Sequence, residues 1–130
     1  MRTFLKFTGS ERDFQVWEYQ VAHGQLLIRS PKSVRLGQAP GTNLDLYFVG
    51  VKYIGVPRHL HGIQLLSPTT EEIRQMESLL GTSVPRNEII ILGSEGQRFA
   101  VVAIGLAASE NDWDINETCL DCRARSRLEP

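Results

Sequence analysis

Apolar and polar residues alternate through most of this chain, mostly with the two-residue period of a β-strand. Between Phe14 and Val21, Trp17, Tyr19 and Val21 fall on one face, and Phe14, Val16, Glu18 and Gln20 on the other. Leu26, Leu27 and Ile28 follow after Ala22-His23-Gly24-Gln25, where His-Gly suits a turn. Residues 14–30 are therefore expected to form a β-hairpin. A shorter apolar run over residues 3–8 predicts one further strand, ended by Gly9-Ser10. Residues 31–42 hold two Pro, two Gly and no periodicity, and read as a loop.

The longest strand-like stretch is Asn43 to Leu66. Leu44, Leu46 and Phe48 alternate with Asp45, Tyr47 and Val49, and the pattern continues beyond Gly50, where a bulge or bend is expected. Gly55-Val56-Pro57 interrupts it, because proline cannot donate to a central ladder. Two strands are expected, with His59 and His61 just after the break.

The pattern then lengthens. Ile73, Met76 and Leu80, with Leu79 beside them, form an apolar stripe at helical spacing. Thr69 and Glu72 are placed as a capping box, and Gly81 is a natural stop. About three turns of helix are too few to persist alone in water, so helix 70–80 must dock on a sheet. Glu88–Leu92 and Arg98–Leu106 read as a second hairpin around Gly93-Ser94-Glu95-Gly96. The latter strand is apolar on both faces, as expected of a central strand covered on both sides. From Ala107 the text turns polar and irregular. The expected fold is α+β: an antiparallel sheet of about six to eight short strands, twisted or partly barrel-like, with one helix on one face. The expected organisation is a single β-rich domain over residues 1–108 and a poorly ordered polar tail over 109–130.

Composition changes this picture little. The 130 residues are one domain's worth, and a domain of that size buries roughly two-thirds of its unfolded surface without help from metal or disulfide. A net charge of −1 lacks the basic excess usual in nucleic-acid binders, which argues against that class of partner. The N-terminus has no apolar core of a signal peptide, and the longest apolar run is too short to span a bilayer, so a cytoplasmic location is expected and no membrane partner.

Three sets of residues could carry chemistry or binding. Cys119 and Cys122 form a CxxC, and His59 and His61 share one face of a strand; together they would make a four-ligand zinc site, although most of the fold separates the pairs. The plain alternative is a half-exposed histidine pair and two inert thiols. A redox role for the CxxC lacks the strand-to-helix setting such motifs need. The acidic run Asp112–Asn116 fails as a calcium loop, because Glu117 and Arg123 stand where Gly and Glu are required. No nucleophile elbow, P-loop or dinucleotide motif appears, so catalysis is not expected. The third set is aromatic: Trp17, Tyr19, Tyr47 and Tyr53 are residue types that dominate protein interfaces, although Trp17 is more simply placed in the core. The leading expectation is a small binding or regulatory protein acting through protein contacts, with an open edge strand as one route to a homodimer. A zinc-binding domain is the alternative.

Overall fold

The structure, a computed structural model, describes residues 9–33, 37–114 and 117. The expected strand at 3–8 and both cysteines lie outside the described residues. The fold is mostly antiparallel sheet. Strands β1 (Gly9–Gln20), β2 (Gln25–Ser30), β3 (Asn43–Gly55), β4 (His59–Leu66), β5 (Ile89–Ser94) and β6 (Gln97–Asn111) follow in chain order. One helix, α1 (Thr70–Leu80), lies between β4 and β5. The strands close in the order β1-β2-β3-β6-β5-β4, with β4 pairing back onto β1.

The sheet, expected to be twisted or partly barrel-like, closes fully. Closure leaves every described strand paired on both sides, so none offers a whole free edge for a second copy. Nor are all six strands short. β3 has 13 residues and β6 has 15, and β3 is bent part-way along. Gly50 sits at the bend in the left-handed region, with φ 61°. A Cβ there would come within 2.7 Å of the Ile104 side chain, so the glycine meets both a backbone need and a close approach. The register also skips between Val51 and Tyr53, where β3 carries an extra residue.

The barrel is filled by side chains from all six strands, among them Phe14, Ile28, Phe48, Leu60, Leu92 and Val101. A second cluster lies outside the wall. There Met76 of α1, flanked by Ile73 and Leu80, packs with Ile89, Ile91 and Val102. Strands β5 and β6 are thus apolar on both faces because one face lines the barrel and the other meets the helix. The helix starts as its sequence implies. Thr69 Oγ1 accepts from the Glu72 amide, the Glu72 carboxylate accepts from the Thr69 amide, and Gly81 ends the helix with φ 71°. Glu95 and Gly96, both with positive φ, make the two-residue turn between β5 and β6.

Two strand boundaries differ from the sequence reading. β1 begins at Gly9, inside the stretch read as a break. β6 runs to Asn111, five residues past the expected end at Leu106, because Ala107–Asn111 pairs with Asn43–Tyr47. Ala108 still packs on the core there, while Ser109 and Asn111 face outward, which is why the stretch reads as irregular.

Candidate functional site

The β1–β2 connection is a single 3-10 turn, Val21–His23, closed by Gly24 with φ 57°. The Gly24 carbonyl accepts from the Val51 amide at 2.9 Å, which ties this turn to the bend of β3. A Cβ on Gly24 would lie 3.9 Å from the Gly50 Cα, and Gly50 in turn lies under Ile104. The turn that carries Val21 thereby lies beside the bend of β3 that Ile104 covers, and both side chains are strongly exposed, at 81% and 63%. Tyr19, 41% exposed, sits one row further in, opposite Leu26. Val21, Ile104 and Tyr19 are three of the four large apolar side chains exposed among the described residues; the fourth, Leu79, is on the helix. Large exposed apolar groups gathered in one place are a feature of contact surfaces, whereas single ones are ordinary.

The four aromatics singled out in the sequence do not form one surface. The register places Val16 opposite Ile28 but Glu18 opposite Leu27, so Trp17 is the extra residue of a bulge. The bulge shifts the phase of β1 and separates Trp17 from Tyr19, which simple alternation had put together. Trp17 is not in the core either: its ring lies beside the Arg29 guanidinium, 5.5 Å from centroid to Cζ. Tyr47 lies between Leu27 and Ala107 on the outer wall. Tyr53 packs into the cluster beneath α1. Of the set, only Tyr19 is among the exposed large apolar side chains. Val21 shares its stretch of sequence; Ile104 was missed because it lies in a run that reads as core throughout. Its one sequence signal is Gly50, a mid-strand glycine that has to accommodate something.

His59 and His61 do share an outer face and are both exposed, opposite Gln15 and Asp13 of β1. His61 Nδ1 and the Asp13 carboxylate form a short hydrogen bond. That bond, then the Asp13 charge, raises the His61 pKa above its usual value, and Glu95 and Glu11 add smaller pulls in the same direction. Among the described residues, no group of three or more His, Cys, Asp or Glu side chains is arranged to hold a metal ion. Cys119 and Cys122, the other two expected zinc ligands, lie outside the described residues.

On the opposite wall a buried polar network went unread in the sequence. Arg29 and Asp45 are 0% and 1% exposed and pair through two bonds, Nε to Oδ1 at 2.7 Å and Nη2 to Oδ2 at 3.0 Å. Asn111 donates to Asp45 and accepts from Asn43, extending the network across β2, β3 and β6. Its donors also reach the chain beyond β6. Lys32 Nζ, Asn43 Nδ2 and Arg29 Nη2 donate to the carbonyls of Asp112, Trp113 and Glu117. A cavity of about 540 Å³ lies at the barrel rim beside Arg12, Asp13 and Pro40. A smaller one, about 360 Å³, lies over Gly62, Gly93 and the β5–β6 turn. Among the described residues no helix is long and apolar enough to cross a membrane. No family model, curated protein or solved structure matches the chain.

Proposed function

We propose that the protein is a small non-catalytic binding module that contacts another protein through the barrel end formed by Tyr19, Val21 and Ile104. The observation that carries this reading is the exposure of Val21 and of Ile104, on a turn and a bend joined by the Gly24–Val51 backbone bond. Leaving such side chains in water forgoes stabilisation of roughly 1.5–3 kcal/mol each, and a partner that covers them recovers it. The end is built on turns and a bend held by backbone bonds, so it meets a partner with little ordering cost. The double substitution Val21→Asp with Ile104→Asp tests this. It alters only exposed positions, so the melting curve should stay close to that of the unaltered chain. A protein that co-purifies with the unaltered chain should be lost from the variant. Retention of every associated protein by a folded variant would refute the reading.

A second reading attaches to His61. Carboxylate contact at Nδ1 orients an imidazole and leaves Nε2 for a metal, and His59 shares the face. Zinc bound there, with or without Cys119 and Cys122, would raise the melting temperature with concentration. The shift should vanish in a His59→Ala, His61→Ala chain. An unaltered chain whose melting does not respond to zinc would dismiss it.

A further inference from the structure

Arg12, near the start of β1, is partly buried and meets only neutral acceptors. Its Nε donates to Ser30 Oγ at 2.9 Å, and its Nη2 donates to the carbonyls of Ser30 and Thr42 at 3.2 and 2.6 Å. Arg29, Lys52, Arg74 and Arg98 each face a carboxylate, whereas Arg12 forms no ion pair among the described residues. Its three bonds hold the guanidinium from the end of β2 to the start of β3. Nη1 is left without a bond to any described residue. A guanidinium fixed in this way suits an anion, because the fold has already met its ordering cost.

Arg12 lines the larger cavity, about 540 Å³, a volume in the range of small-molecule sites. Pro31, Ala39 and Pro40 give that cavity apolar lining, and a bond from the Ser33 amide to the Pro40 carbonyl at 2.7 Å holds it in place. Glu11 and Asp13 line it too. The Asp13 carboxylate is engaged by His61. Glu11 is exposed and carries no hydrogen bond or ion pair among the described residues; its charge acts on His61 only as a minor pull. A purely anionic ligand would meet repulsion from these carboxylates, and a purely cationic one would meet Arg12. A ligand that carries one charge of each sign suits both.

We propose that this cavity binds a small zwitterion of the amino-acid class. Arg12 receives its carboxylate, Glu11 its ammonium group, and Pro31 and Pro40 an apolar side chain. Arg12 lies near the start of β1 and Val21 just past its end, so this site is separate from the protein-contact surface, and neither reading depends on the other.

The test titrates the full chain with each of the common amino acids in turn and follows the backbone amide signals of Gln15, Ser30 and Ala39 by NMR. At least one amino acid with an apolar side chain should give saturable shifts there. Its N-acetyl derivative lacks the ammonium charge and its carboxamide lacks the carboxylate. Each should bind at least about tenfold more weakly, as the loss of a charge-assisted bond requires. Glu11→Gln alters an exposed side chain, so the chain should stay folded and lose its discrimination against the N-acetyl derivative. Arg12→Gln should abolish binding. That variant also gives up the bonds to Ser30 and Thr42, so the two derivatives, which leave the protein unaltered, decide if it does not fold. Saturable shifts from no amino acid overturn the proposal, as does equal binding of the parent amino acid and its two derivatives.

Discussion

Arg29 and Asp45 carry opposite charges in a place water does not reach. Desolvating the pair is costly, so its net worth against an apolar pair is small, but breaking it strands a buried charge. Asp45→Ala should therefore cost about 3–5 kcal/mol in urea unfolding, and the double substitution Arg29→Met, Asp45→Leu much less. Equal costs would mean that the surrounding network, rather than the pair, is what matters. Glu72 gives a pH dependence. Bonds from Arg98, and then from the Thr69 amide, hold its pKa down to about 2, against 4.5 ordinarily. A lowered carboxylate stabilises the fold above its ordinary value, and that share is lost as pH falls from about 4.5 to about 2. Stability should drop over that window, and Arg98→Ala should flatten the drop. His61 has the opposite sign: its contribution is present below 6.5 and fades as pH rises through the raised value. Its exposure keeps the effect on stability small. Asp13→Asn should bring the His61 midpoint, followed by NMR, back toward 6.5.

At the scale of elements, the helix and the second hairpin rest on local rules and behave as those rules require. Thr69→Ala removes one half of the capping box and should cost about 1 kcal/mol. The β3 bend is a harder case. Gly50→Ala should cost about 1–2 kcal/mol from its left-handed backbone alone. The further cost of the Ile104 contact should disappear when Ile104→Ala is made with it. Such elements also mark how far the sequence can be read. The break at Gly55-Val56-Pro57, the capping box and the Glu95-Gly96 turn depend on residues close in sequence, and all were legible. The Trp17 bulge and the run of β6 to Asn111 depend on the partner strand. Bulges leave no composition signal, and one extra residue is enough to turn Tyr19 away from the face of Trp17. The Arg29–Asp45 pair was hidden for a similar reason: its members are 16 residues apart and meet only once β2 and β3 are in register.

For the whole molecule, closure is the decisive fact. With each described strand paired to a neighbour on both sides, no described strand presents a whole free edge to a second chain. At the end where β1 turns into β2, the bend of β3 brings Ile104 to the turn that carries Val21. Nothing in the spacing of residues 21 and 104 announces this meeting. Leu79, similarly exposed but alone on α1, is a natural control for the difference between a patch and a single apolar residue. The most direct measurement is photo-crosslinking in living cells, with the photoreactive residue placed in turn at positions 21, 104 and 79. Adducts to one and the same protein from 21 and 104, with none from 79, are the expected result. No adduct at 21 and 104, or the same adducts from all three positions, would contradict a contact surface at this end of the barrel.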